Sequence, residues 1–313
     1  MNRKDILGLR GVSKEEIVEI LDTAERFRNV SERQIKKVPT LRGRTVVTFF
    51  MENSTRTRMS FDLAAKRLSA DTLGFSAGSS STKKGETLMD TARNIDAMKP
   101  DAIIIRHSAA GAPHMLAKAF PWSVLNAGDG INEHPSQALL DMLTMRDHLG
   151  SLAGKTVGIV GDVYHSRVAR SNIFGLTTMG AKVVVAGPGT MCPPSMGALG
   201  VEVRHSIDEV AEDADVIMML RIQRERLQPG MMSTVNEYSR FYGLDLERLS
   251  KAKPEALVMH PGPINRGVEM SPEVADGDQS VIMEQVTNGI AIRMALLYLL
   301  VGGDSAGGDL HAS

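Results

Sequence analysis

A single cysteine, Cys192, stands among the 313 residues. An internal disulfide framework and a multi-cysteine metal cluster are therefore excluded, and the usage fits a reducing compartment. Aromatic residues make up only 4% of the chain, and neither sign of charge dominates: 36 Lys and Arg against 37 Asp and Glu leave a formal net charge of −1. Such a balance gives no electrostatic footprint for nucleic acid or a membrane surface. Any anion site must then come from a local concentration of Arg and Lys. Long apolar runs are also missing. The longest, Met294 to Val301, covers eight residues, far short of a bilayer span. The charged start Met1-Asn2-Arg3-Lys4-Asp5 is not followed by an uninterrupted apolar stretch, so no signal peptide is expected. A cytoplasmic, soluble protein is the expectation. What is present, 42% hydrophobic and 23% charged residues, suits two ordinary globular domains.

Several familiar motifs are absent as well. No G-x-x-x-x-G-K-[ST] occurs, which argues against a P-loop nucleotide site. Gly158-Ile159-Val160-Gly161-Asp162 is only a partial dinucleotide turn. Its third glycine is missing, Tyr164, His165 and Arg167 crowd the place where backbone has to approach a pyrophosphate, and the next strand ends in Gly187-Pro188 rather than an acidic residue. Neither H-E-x-x-H nor H-x-x-x-H is found, so no metal and no cofactor is expected.

The pattern that remains is α/β. Ser13 and Glu16 form a capping box ahead of Ile17, Ile20, Leu21, Ala24 and Phe27 at helical spacing. Strands are expected at Thr45 to Phe50, Ala102 to Arg106 and Ser123 to Asn126, with helices around 55–69, 86–98, 112–119 and 135–149. A second series has strands at Thr156 to Val160, Lys182 to Ala186, Asp215 to Leu220 and Ala256 to Met259. Its first helix is expected between Ser166 and Met179, and a last one from about Ser280 to Val301. The alternation predicts two domains, each a parallel sheet flanked by helices. The expected bounds are 1–149 plus 280–301 for one and 150–279 for the other, with 302–313 a disordered tail.

After the first strand comes Ser54-Thr55-Arg56-Thr57-Arg58 at a helix start, with Met59, Leu63, Ala64 and Leu68 as the expected buried stripe. Ligands of open parallel sheets bind beyond strand carboxyl ends, and a helix N-terminus there offers N–H groups and a positive dipole end. A cap needs one hydroxyl, whereas this turn carries three and two arginines. It reads as a phosphate site. Arg106 ends the next strand, and His134-Pro135-Ser136-Gln137 opens a helix with Pro135 suited to its first position. In the second series Arg167 and Arg221-Ile222-Gln223 follow strand ends, which suits a small dicarboxylate because guanidinium forks match carboxylates. His260-Pro261-Gly262-Pro263 is expected as a rigid crevice loop. On its residues alone, the run from Ser79 to Glu86 reads as a solvated loop, and Arg224-Glu225-Arg226 as a solvated face.

Together these segments resemble the aspartate/ornithine carbamoyltransferase family. The resemblance is carried by Phe49 to Phe61, Lys83-Lys84-Gly85-Glu86-Thr87, Arg106-His107, Asn126 to Gly130, His134 to Gln137, Arg221 to Arg226, His260 to Pro263 and Asn288-Gly289-Ile290, in order from about residue 40 to 301. It implies carbamoyl phosphate as one substrate, held by Ser54, Thr55, Arg56 and Thr57, with Arg106, His134 and Gln137 addressing its carbamoyl group. Arg167, Arg221 and Gln223 are implied for the amino-acid substrate, with Gly262 and Pro263 in the backbone crevice loop. The family places Ser80 and Lys84 in the active site of a neighbouring subunit, Lys84 reaching both substrates. That reverses the solvated-loop reading and implies a homotrimer with shared sites, which regulatory or other pyrimidine-pathway chains can join. Arg56, Thr57, Lys84, Arg106 and His134 are the implied catalytic set. Within the family, the ornithine branch typically carries a cysteine in the last crevice loop and an S-M-G motif after a late strand. Here Cys192 lies elsewhere, Ser195-Met196-Gly197 precedes the strand Asp215 to Leu220, and Arg221-Ile222-Gln223 follows it. L-aspartate is the expected amine, ornithine or another amino acid the alternative, and a non-catalytic assembly subunit the lower one.

Overall fold

In a computed structural model of the chain, residues 1–76, 86–223 and 234–302 are described. The chain divides into two compact units, one formed by residues up to Ser136 together with those from Thr287 onward, the other by Gln137–Val286. Both are α/β, with every strand pair parallel.

The first unit carries α1 (Lys14–Arg28), β1 (Thr45–Phe50), α2 (Thr55–Arg67), β2 (Asp71–Ser76), α3 (Leu88–Asp96), β3 (Ala102–His107), α4 (Ala112–Ala119) and β4 (Ser123–Asp129). The helix α5 (Pro135–Leu149) begins at its end. The sheet order is β2-β1-β3-β4. The chain steps from β1 to one side and then back across to β3, so the topological switch lies between β1 and β3, the place where open sheets part and admit ligands. Val47, Phe49, Ile103, Ile105 and Val124 form the core with Ile95, Leu116 and Trp122 from the covering segments.

In the second unit follow β5 (Thr156–Val160), α6 (Arg167–Thr178), β6 (Lys182–Ala186), β7 (Glu202–Arg204), α7 (Ile207–Asp213), β8 (Val216–Met219), α8 (Val235–Tyr242), α9 (Leu246–Leu249), β9 (Leu257–Met259), α10 (Pro272–Ala275) and α11 (Ile282–Val301). The order β7-β6-β5-β8-β9 puts its switch between β5 and β8. Val160, Val184, Ile217, Met219 and Val258 pack there on α7 and α10. The end of α11 returns to the first unit, where Tyr298 meets Phe27 edge to face at 5.5 Å and Arg293 donates to Ser60 Oγ at 3.0 Å.

Two strands were not anticipated from the sequence. Both β2 and β7 are sheet edges. One is interrupted by Gly74 and the other has three residues, so neither needs the long apolar run that marks a strand buried on both faces. The buried stripe of α2 is also shifted. Phe61, Ala64, Ala65 and Leu68 are buried, whereas Met59 is 65% and Leu63 39% exposed. The Arg293 guanidinium lies 5.0 Å from the Phe61 ring, a cation–π contact that turns this face inward. Among the described residues, no helix is long and apolar enough to cross a membrane.

Candidate functional site

In the first unit the end of β1 and the end of β3 are neighbours in register, Phe50 opposite Arg106, and Met51 N–H donates to Arg106 O at 2.9 Å. The chain leaving β1 reaches Ser54, the N-cap of α2, whose hydroxyl makes no capping hydrogen bond. It donates instead to Thr57 Oγ1 at 3.0 Å. The turn therefore keeps its first-turn N–H groups clear of a side-chain cap, as an anion cradle requires. Thr55 and Arg56 are exposed and Thr57 is buried. Arg58 is committed elsewhere. It pairs with Asp62 at 3.8 Å, and its guanidinium passes over Gly74 of β2, where a side chain would collide with it.

Arg106 is nearly enclosed, its side chain 11% exposed. One end donates to Ala127 O at 3.1 Å and the other to Glu52 Oε1 at 2.9 Å. Glu52 was not singled out by the sequence, because its role depends on the register of β1 against β3. The Ala127 carbonyl is within reach because β4 carries one extra residue against β3, between the pairs Ile105–Asn126 and His107–Asp129. Bulges of this kind re-aim groups beside sites.

His134 is buried, and the turn before it is tied by Asp129. That carboxylate accepts Asn126 Nδ2 at 2.7 Å, Gly111 N–H at 2.7 Å, Asn132 Nδ2 at 3.1 Å and Glu133 N–H at 3.2 Å. Gly130 sits at φ +49, where any Cβ would come within 2.9 Å of Ser108 O and Ala110 N, so this turn requires glycine. Its N–H donates to His107 O at 2.9 Å, which joins the ends of β3 and β4.

In the second unit, β5 leads through Gly161 and Asp162 to Ser166, which caps α6 by accepting Ala169 N–H at 3.1 Å. Arg167 is the first residue of α6 and is buried. A cation at a helix N-terminus adds to the positive dipole end rather than offsetting it. The side chain of Asp162 takes His165 N–H at 3.2 Å and its ring nitrogen at 2.8 Å, which fixes the intervening turn. Across the switch, Leu220 N–H donates to Val160 O at 2.8 Å, extending the pairing up to Arg221. Arg221 and Gln223 are half-buried on either side of buried Ile222, whose carbonyl accepts Asn265 Nδ2 at 3.2 Å.

The loop after β9 is organised by its own histidine. His260 Nδ1 accepts Gly262 N–H at 2.7 Å. Its Nε2–H then donates to buried Glu269 at 3.2 Å, and Glu269 also accepts Asn265 N–H at 2.7 Å. Gly262 takes φ +63 and is joined to Pro263 by a cis peptide. Gln137, at the start of α5, donates through Nε2 to Asp141 at 2.9 Å. Burial, helped by the Asp162 charge, pushes the Cys192 thiol up to about 11, so it stays protonated at neutral pH and is no nucleophile. Ser80, Lys84 and Arg224-Glu225-Arg226 lie outside the described residues.

Each unit carries its sequence-predicted residues on segments that follow the carboxyl ends of its strands: Ser54, Thr55, Arg56, Thr57, Arg106 and His134 in the first, Arg167, Arg221, Gln223, Gly262 and Pro263 in the second. Comparison with known proteins likewise gives two domains. The model of the aspartate/ornithine carbamoyltransferase carbamoyl-P binding domain matches residues 4–147, and that of the Asp/Orn binding domain matches residues 153–300. The aspartate carbamoyltransferase catalytic subunit of Syntrophus aciditrophicus is 64% identical over 97% of this chain and 99% of its own length. Among solved structures, aspartate transcarbamoylase from Trypanosoma cruzi in complex with carbamoyl phosphate and aspartate superposes with a TM-score of 0.85 at 29% identity, covering 95% of this chain and 97% of that one. Ornithine carbamoyltransferase from Pyrococcus furiosus superposes equally well, TM-score 0.85 at 30% identity over 96% and 97%. The chain belongs to the aspartate/ornithine carbamoyltransferase family.

Proposed function

We propose that the chain transfers the carbamoyl group of carbamoyl phosphate to the amine of L-aspartate, giving N-carbamoyl-L-aspartate and phosphate, an early step of pyrimidine biosynthesis. One observation carries the choice of amine: two arginines, Arg167 and Arg221, stand at the carboxyl ends of β5 and β8, where they suit a dicarboxylate and repel a cationic side chain. Relatives named as aspartate carbamoyltransferase catalytic subunits at 55–64% identity support the same choice.

In the proposed reaction the aspartate nitrogen forms a bond to the carbonyl carbon, the bond from that carbon to the bridging phosphate oxygen breaks, and the bound phosphate takes the amine proton. No covalent intermediate is needed; positioning and charge stabilisation carry the rate. Arg106, His134 and Thr57 donate to the developing oxyanion, and Arg56 and Lys84 balance charge on the leaving phosphate. Ser54, Thr55, Ser80 and Gln137 complete the carbamoyl phosphate site, while Lys84, Arg167, Arg221 and Gln223 hold aspartate beside the Gly262-Pro263 backbone. Residues 1–149 plus 280–301 are assigned to carbamoyl phosphate and 150–279 to aspartate.

The working unit in this proposal is a cytoplasmic homotrimer in which Ser80 and Lys84 complete a neighbour's site. Exposed Met59 and Leu63, one turn apart on α2, support association with further copies, because apolar side chains on one helix face favour contact. Phosphate release from carbamoyl phosphate, measured with L-aspartate and with L-ornithine, tests the assignment. Aspartate-dependent release is expected. Preference for ornithine supports the sister activity instead, and no release with any amine supports a non-catalytic subunit.

A further inference from the structure

We propose that Asp141 is a positioning residue that turns the Gln137 amide so that its carbonyl oxygen, and not its NH2, is left for the ligand, making Gln137 a reader of an N–H donor on the acyl phosphate. The proposal rests on the reading above that Gln137 addresses the carbamoyl group.

Asp141 lies one turn beyond Gln137 on α5 and is fully buried. A buried carboxylate is tolerated only when its oxygens are hydrogen-bonded. Its Oδ1 accepts Gln137 Nε2 at 2.9 Å and Gln285 Nε2 at 2.8 Å; its Oδ2 accepts Asn172 Nδ2 at 2.8 Å. Which way an amide points must be inferred from its partners, and two of these three have theirs fixed at the other end. Asn172 Nδ2 also donates to Val168 O at 3.1 Å, an acceptor and nothing else. Gln285 Oε1 accepts His260 N–H at 3.0 Å, so its NH2 must face Asp141. Both carboxylate oxygens are therefore acceptors, and Gln137 has only its NH2 to offer them.

An amide carbonyl accepts hydrogen bonds and cannot donate. Carbamoyl phosphate carries an NH2 where acetyl phosphate carries a methyl group, and the two share the same phosphate. A fixed Gln137 carbonyl distinguishes them through that N–H, whereas a freely rotating amide is a weaker discriminator. The same carboxylate reaches the crevice loop through Gln285 and His260, and α6 through Asn172. It thus braces three segments that carry proposed site residues.

The test is calorimetric titration of the full chain with carbamoyl phosphate, acetyl phosphate and inorganic phosphate. Wild type is expected to prefer carbamoyl over acetyl phosphate by roughly tenfold or more. In Asp141→Asn that ratio should collapse through weaker carbamoyl phosphate binding, with inorganic phosphate unchanged. In a Gln137→Met background Asp141→Asn should change the ratio no further, because the two residues act as one unit. A merely structural role for Asp141 predicts additive losses and a parallel fall in phosphate affinity.

If Asp141→Asn does not fold, hydrogen exchange in wild type decides. The Gln137 side-chain NH2 signal, assigned through its loss in Gln137→Met, should be protected in the unliganded chain, and unprotected exchange overturns the proposal. A ratio that survives in folded Asp141→Asn overturns the proposal alone. Equal binding of both acyl phosphates by wild type overturns it together with the assignment of Gln137.

Discussion

Ahead of β3, Asp101 accepts the N–H of Thr45, the first residue of β1, at 2.7 Å and pairs with Arg44 at 2.9 Å. Ahead of β8, Asp215 accepts the N–H of Thr156, the first residue of β5, at 2.8 Å and pairs with Lys253 at 2.8 Å. The amino edges of the two sheets are built by the same device, a carboxylate that closes the first rung of the central strand pair. Their carboxyl edges are not alike. The first unit offers the hydroxyls of Ser54, Thr55 and Thr57 around Arg56 at a helix start, with Arg106 at a strand end already paired with Glu52; the second offers Arg167 and Arg221 at a helix start and a strand end, with the Ser166 hydroxyl spent as a cap. A tetrahedral phosphate is suited by many short donors around it, and planar carboxylates by guanidinium forks. One scaffold therefore serves two ligand chemistries because only the carboxyl edge is varied, while the amino edge keeps the sheet together.

The comparison breaks most visibly at Arg106. Its replacement by alanine removes a donor aimed at developing charge and should lower kcat by roughly 100- to 1,000-fold, with the melting temperature showing that the fold survives. Near-normal turnover would remove Arg106 from the catalytic set. Next in size is Arg221→Ala, expected to raise the aspartate KM and cut kcat/KM by roughly 100-fold while carbamoyl phosphate binds as before. Weakened carbamoyl phosphate binding in that variant counts against assigning Arg221 to aspartate. A smaller effect of opposite sign is expected for Glu52→Gln. The carbamoyl oxygen of the ligand competes with Glu52 for the Arg106 guanidinium, so removing the carboxylate's charge should tighten carbamoyl phosphate binding by roughly three- to tenfold, read by calorimetry.

The smallest effect belongs to the amino edge. Burial tends to raise the Asp215 carboxyl, but the Lys253 ammonium and the Thr156 N–H outweigh it and hold the group below the usual carboxylate range. A carboxylate with a depressed folded-state pKa adds stability that is fully present above its ordinary value of about 4 and is lost as pH falls through the lower folded value. Asp215→Asn should therefore cost about 1 kcal/mol at neutral pH, flatten the loss of stability below about pH 4, and leave kcat unchanged. A change in kcat would place function at the amino edge too.

How far these features were legible in the sequence follows from their geometry. The cradle at residues 54–58 is contiguous, and a helix start announces itself by its hydroxyls, so it could be read directly. Arg167 and Arg221 could be read because each follows a buried apolar strand. Glu52 could not, since its partner is set by the alignment of β1 with β3. Asp141 could not either: its neighbours Ala138 to Leu140 and Met142 to Met145 are buried all round, so no polar face marks it as an internal hub. Edge strands β2 and β7 escaped because half-exposed strands lack the uniform apolar signature of central ones.

The most direct measurement is a crystal structure of the chain with a bisubstrate compound that joins a phosphonate through an acetyl link to aspartate. The phosphonate is predicted within hydrogen-bond reach of Ser54, Thr55, Arg56, Thr57 and Arg106, with the two carboxylates on Arg167 and Arg221. A phosphonate bound away from the start of α2, or carboxylates that leave both arginines untouched, would contradict the account.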